Sequence, residues 1–156
     1  MREASPADEL LLAAQVPVNV LVISASRDDR MSCARFIHDN SERRRGPFVA
    51  RGPYDLRHAI DAADVDRWFE QAPGGTLFID DMSRLSRQGQ EQLLLRLEHN
   101  TLGQLGESNG AGGRRVRVIA GASRVLLTAV AANAFSETLY YRLNLIHVDR
   151  TGLKDS

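Results

Sequence analysis

The chain holds a single lysine among its 156 residues, Lys154, against nineteen arginines. A phosphate-binding loop of the form G-x-x-x-x-G-K-[ST] needs a lysine to reach the β and γ oxygens, and no stretch upstream of Lys154 supplies one. Cysteine is as scarce: Cys33 stands alone, which excludes an internal disulfide, and no metal-ligand spacing surrounds it. A cytoplasmic, reducing setting is expected. No apolar run approaches the length that spans a bilayer, so no membrane association is expected. Net charge is absent too, with 20 acidic and 20 basic residues. No global field therefore recruits nucleic acid or an anionic surface. Glu3, Asp8 and Glu9 leave no basic leader at the start. The arginine excess is read as base composition of the genome rather than as function.

What is present suits one domain over residues 1–156, since 43% hydrophobic and 26% charged residues are ordinary for a globular core of this size. A short helix is predicted over 9–15, broken at Val16-Pro17. Val20-Leu21-Val22-Ile23 is apolar without alternation, the pattern of a strand buried on both faces. A polar loop, Ser24 to Arg30, leads into a helix ending near His38. Further strands are predicted at Phe48-Val49-Ala50, Thr76 to Asp81, Val116 to Gly121 and Leu145 to Val148. Helices are predicted over 55–71, with Ile60, Val65, Trp68 and Phe69 buried, from a Ser83 or Ser86 cap to about Glu98, and over 124–132 and 136–143. Gly103 to Gly113, with five glycines, reads as a surface loop. Alternating strands and helices predict an α/β domain with a mostly parallel five-stranded sheet.

Several segments resemble a known family, in its order. Gly74-Gly75-Thr76-Leu77-Phe78-Ile79-Asp80-Asp81 resembles the Walker B segment of bacterial enhancer-binding proteins, the AAA+ activators of sigma-54 RNA polymerase. Ser41-Glu42-Arg43-Arg44-Arg45-Gly46-Pro47-Phe48-Val49 resembles the stretch after the family's phosphate loop. Gln92 to Leu97 resembles the helix after Walker B, and Arg117-Val118-Ile119-Ala120 the strand leading to sensor I. Leu139-Tyr140-Tyr141-Arg142-Leu143-Asn144 matches the family's L-Y-Y-R-L-N run. The resemblance covers residues 9–153 and implies a three-layer P-loop NTPase-like domain.

The departures bear on function. Where the family reads G-E-S-G-T-G-K-E, this chain places Ser24 at the first glycine, Arg27 and Asp29 at the other two, and Arg30 at the lysine. A guanidinium fork does not replace a compact ammonium, and a carboxylate of Asp28 or Asp29 is expected to cap the helix in place of a phosphate. Asp80 stands at the magnesium-holding aspartate and Asp81 at the catalytic glutamate; the pair is expected to end the strand and cap the next loop. Ala122-Ser123 replaces the sensor I Thr-Asn. Ser136 replaces the first finger arginine, while Arg142 remains, with an ion pair inside its own domain expected. The stretch from Ala50 to Pro73 is too short for the insertion carrying the G-A-F-T-G-A loop. The helical lid, receiver and helix-turn-helix of the family are not recognised.

His38, His58, His99 and His147 lack metal spacing and are read as structural or solvated, Cys33 as a small core residue. Three consecutive arginines, Arg43 to Arg45, give little affinity for DNA. Ser24, Arg27, Asp29, Arg30, Asp80, Asp81, Ser123 and Arg142 are thus expected to be vestiges of a nucleotide site, with no catalytic residue, no metal and no cofactor. The expected function is regulation by contact with a protein partner, another transcription regulator or a paralogue, without direct DNA binding, as a monomer or dimer. The alternative is a divergent nucleotide-binding protein or weak ATPase using ATP and magnesium.

Overall fold

Apolar runs without alternation build the centre of the sheet. The computed structural model describes residues 6–106 and 115–150. Strands β1 (Val20–Ile23), β3 (Thr76–Ile79) and β4 (Arg117–Ala122) are buried along their whole length. Strands β2 (Phe48–Arg51) and β5 (Ile146–Asp149) form the edges and are only partly covered. The order is β2-β3-β4-β1-β5, and each neighbouring pair is parallel. Ile23 lies in register with Ala122 and with Asp149, so three strands end together beside the β1–α2 turn.

Among the described residues six α-helices cover the two faces: α1 (Pro6–Gln15), α2 (Arg27–Asp39), α3 (Ala62–Glu70), α4 (Arg87–Gly106), α5 (Val125–Ala131) and α6 (Glu137–Leu143). Because successive strand residues point to opposite faces, Val20 and Val22 pack with Phe78 and Ile119 against Ala13 of α1 and Cys33, Ala34 and Ile37 of α2. Leu21 and Ile23 face the other way, into a larger core with Trp68 and Phe69 of α3, Leu93 and Leu97 of α4, Leu126 and Leu139. The result is three layers, helix on sheet on helix, as the alternating pattern predicts.

The helix expected over 55–71 is shorter. Pro53–Asp55 is a single 3-10 turn and α3 begins at Ala62. Ile60 is buried but lies in an extended segment bridged to Leu85: its N–H donates to the Arg84 carbonyl (3.0 Å), and Ser86 N–H donates to the Ile60 carbonyl (2.8 Å). Asp61 then caps α3 by exchanging hydrogen bonds with Asp64, a reciprocal cap that fixes where the helix starts. Of the two serines proposed to start α4, Ser86 does so, its Oγ accepting from Gly89 N–H (3.0 Å). Helix α4 passes Glu98 and runs to Gly106, so the expected glycine-rich loop loses its first residues to the helix. Residues 107–114 of that loop lie outside the described residues.

His38 near the end of α2 is buried, its Nδ1 2.8 Å from Thr76 Oγ1 and its ring against Phe48. Burial pulls its pKa below the usual histidine value; Asp39 opposes the shift, while Arg35 and Arg117 reinforce it. A histidine held neutral in the fold contributes stability that is complete above its unfolded pKa of about 6.5 and is lost as pH falls below it. We therefore expect the denaturation midpoint to fall with pH below about 6.5, and His38→Gln to flatten that part of the profile. A second expectation concerns Gly89. A Cβ there would lie 2.3 Å from the Ile60 carbonyl oxygen. Alanine ordinarily favours a helix interior by about 1 kcal/mol, yet Gly89→Ala should destabilise the chain by about 1–3 kcal/mol in chemical denaturation, because backbone must move.

Candidate functional site

Three residues, Ser24-Ala25-Ser26, connect β1 to α2. Ser24 N–H donates to the Ala122 carbonyl (3.0 Å), which continues the β1–β4 ladder into the turn. Ser24 Oγ accepts from Ser26 N–H (3.1 Å), and Ser26 Oγ accepts from Asp29 N–H (3.1 Å). The N-cap of α2 is therefore the hydroxyl of Ser26, not a carboxylate of Asp28 or Asp29 as the sequence reading expects. Asp29 points elsewhere: Arg150, just beyond β5, donates to it from Nε (3.4 Å) and Nη2 (3.3 Å).

Arg30 turns inward. Its Nε donates to Asp80 Oδ1 at 2.6 Å and its Nη2 to Oδ2 at 3.2 Å, while Nη1 donates to the Ser24 carbonyl at 2.7 Å. The two side chains are 9% and 1% exposed. This is the bidentate fork–carboxylate geometry, among the strongest of charge-assisted pairs. Gly121 on β4 leaves room for it, since a Cβ there would come within 2.6 Å of Asp80 Oδ1. Over the turn, the Arg27 guanidinium lies 3.6 Å from the centre of the Tyr54 ring, a cation–π contact. Burial raises the Tyr54 phenol above its usual pKa and the charge of Asp80 raises it further, against the opposing pull of Arg27 and Arg30.

Ser24, Arg30 and Asp80 thus meet at one point, with Arg27 beside them. The other candidates have separate contacts. Asp81 does not cap the following turn with its side chain; it adopts the left-handed conformation (φ 57°, ψ 60°) and accepts from the Ser83 hydroxyl at 3.0 Å. Ser123 Oγ accepts from Val125 N–H (3.3 Å). Arg142 pairs with Glu98 at 3.5 Å within the chain. Ser136, in the place of an arginine, caps α6: its Oγ accepts from Leu139 N–H, and its own N–H donates to Gln90 Oε1. Sequence reasoning missed Tyr54, Arg150, Ser26 and Gln90. A serine three residues before Asp29 is a recognisable cap signal; the other three are tertiary partners without a local signature.

A nucleotide with magnesium does not fit these residues as they stand. Both Asp80 oxygens accept from Arg30, so a metal ion would have to displace the guanidinium. The turn lacks the glycines that let backbone N–H groups curl around phosphates. A second cluster, His58, Asp61 and Asp64, brings its polar atoms within 4.8 Å. Its carboxylates are engaged in capping α3, and Asp64 also accepts from Arg67 at 2.6 Å. It is accounted for by the start of that helix.

Truncating one partner of a buried pair strands the other charge. Asp80→Ala should therefore destabilise the chain by about 3–5 kcal/mol in denaturant titration. An apolar double replacement, Arg30→Leu with Asp80→Leu, should lie closer to the parent than either single change.

A profile described as the Sigma-54 interaction domain matches residues 57–149. The chain is 32% identical to the sigma-54-dependent transcriptional regulator SfnR of Pseudomonas fluorescens (strain Pf0-1), over 96% of this chain and 46% of that protein. It is also 32% identical to the DNA-binding transcriptional regulator NtrC of Rhizobium meliloti (strain 1021), over 90% of this chain and 32% of that one. It spans less than half the length of either relative. Among solved structures, the P-loop NTPase domain of a sigma-54 activator from E. coli superposes with a TM-score of 0.67 at 22% identity, covering 93% of this chain and 99% of that domain. NtrX from Brucella abortus, solved with ADP, gives 0.75 at 22% identity, over 92% of this chain and 35% of that one. These likenesses bear out the P-loop NTPase-like three-layer fold. With the Walker B-like strand, the L-Y-Y-R-L-N helix and the strand order in place, the chain belongs to the sigma-54 interaction domain family of AAA+ proteins.

Proposed function

We propose that this chain is a sigma-54 activator-type AAA+ core that does not hydrolyse ATP and acts by protein contact in bacterial transcription control. The observation that carries this reading is the bidentate Arg30–Asp80 pair: the one acid positioned for magnesium is already neutralised from within, at 2.6 and 3.2 Å. Three further features support it. The turn has no glycine between Ser24 and Arg30. Asp81 stands where the family has glutamate, and a shortened acid misplaces an attacking water, where an error of about 1 Å costs roughly a hundredfold in rate. Ser136 caps a helix where the family presents an arginine, and a trans-acting arginine contributes several orders of magnitude to phosphoryl transfer. A scaffold that retains its packing and its interfaces can still bind a protein after its chemistry has gone. The partner is another transcription regulator, with a paralogous active activator the best fit, and the chain itself is a monomer or dimer.

The test combines binding and effect. Calorimetry with magnesium-ATP should give no saturable heat for the parent chain. Arg30→Lys alone should give none in the micromolar range, since the glycine cradle is still missing. In open-complex formation on a sigma-54 promoter, the chain alone should be inactive but should change the output of an active activator. Saturable ATP turnover above background that co-purifies with the folded chain would overturn the proposal.

A further inference from the structure

At the other end of the sheet lies an arginine cluster that the reading above does not use. The strands are parallel, so their N-terminal ends gather in one place. Arg117 opens β4, five residues before the Ala122 that meets Ser24, which puts it about 17 Å from the Arg30–Asp80 pair along a strand rising about 3.3 Å per residue. There a cavity of about 150 Å³ is lined by Arg43, Arg115 and Arg117 together with Ala14, Ser41 and one acid, Glu42.

The cluster is built on backbone. Arg117 is buried, and its guanidinium donates to the carbonyls of Ala13, Val16 and Val18, at the C-terminal end of α1 and just beyond it. Arg43 Nη1 donates to the Gly75 carbonyl (3.0 Å) and to that of Arg115 (2.5 Å). Carbonyls orient a guanidinium without cancelling its charge. Among the described residues neither Arg43, Arg115 nor Arg117 forms an ion pair with an acid. Burial lowers Arg117 to a pKa of about 10, with Arg43 adding to the shift, and burial lowers Arg43, with Arg115 adding to it and Glu42 opposing it.

We propose that this cleft binds a phosphate dianion, either inorganic phosphate or the terminal phosphate of a small phosphomonoester. Arg43 and Arg117 are held in place by backbone carbonyls and keep donors free, and Arg115 adds a guanidinium without a side-chain partner among the described residues. Guanidinium donors converging from three sides suit a tetrahedral oxyanion. With Glu42 the single acid in the lining, three cations leave an excess of two positive charges, which a dianion matches. The cavity is well below the 300–1,000 Å³ of an ordinary small-molecule pocket, so it admits the charged head and leaves any ester group outside.

The test is calorimetry at low ionic strength with inorganic phosphate and, separately, glycerol phosphate. Saturable heat with either supports the proposal and identifies which source is read. Arg115→Ser should weaken binding by about tenfold or more, the loss of one charge-assisted contact. Arg115 makes no side-chain bond to other described residues, so this variant should fold, which circular dichroism checks. Arg115→Lys keeps the charge and loses the fork, and should fall between. Arg45→Ser, on the exposed turn next to Arg43, should leave affinity within about twofold. Absence of heat with both probes, heat unaffected by Arg115→Ser, or an equal loss in Arg45→Ser would each overturn the proposal.

Discussion

The buried contact between Arg30 and Asp80 organises everything at the C-terminal edge of the sheet. Both groups lie in a medium where an unpaired charge is very costly, so each determines where the other sits. Arg30 comes from the first turn of α2 and Asp80 from the end of β3. Its third bond, to the Ser24 carbonyl, holds the turn in place as well. One side chain thereby fixes a helix, a strand end and the connection between them. The small residue opposite, Gly121, is a requirement of the same contact, since anything larger would collide with the Asp80 carboxylate and the Phe78 ring.

The arrangement engages both oxygens of Asp80 from within the chain. A helix N-terminus aimed at the end of a parallel sheet offers unsatisfied N–H groups and a positive dipole. In this chain the Ser26 hydroxyl satisfies one of those donors, and the Asp29 carboxylate sits in the first turn, held by Arg150 just beyond the neighbouring strand β5. These polar groups are partnered by hydrogen bonds and an ion pair within the chain. Ser136 is likewise engaged internally: its hydroxyl caps the start of α6 and its N–H donates to Gln90 of α4.

Much of this was legible before the structure. The runs Val20 to Ile23 and Leu77 to Ile79 are central strands because they carry no polar residue that would tolerate solvent on either face. The family motifs placed Arg30 and Asp80 in the right neighbourhoods. They did not reveal that the two would meet, because a contact between residues fifty apart has no local pattern. The helix over 55–71 was overextended for a related reason. Ile60 is buried, and burial alone does not distinguish a helical apolar residue from one bridged to Leu85. The Asp61-x-x-Asp64 spacing was the signal that would have placed the boundary. Tyr54 and Arg150 carry no signal of their own; they matter only because the fold returns to the turn.

Asp81 bears on how sequence change at this edge is constrained. Its backbone is left-handed, a conformation in which aspartate and asparagine are enriched because their short polar side chains bond locally. Glutamate at this position would lose the local bond to Ser83 and would meet a conformational penalty of roughly 1–2 kcal/mol. The acid at the end of β3 is thus matched to its backbone, and the chain resists lengthening it even where no function selects against the change. A single pair of torsion angles sets which acid this strand end accepts.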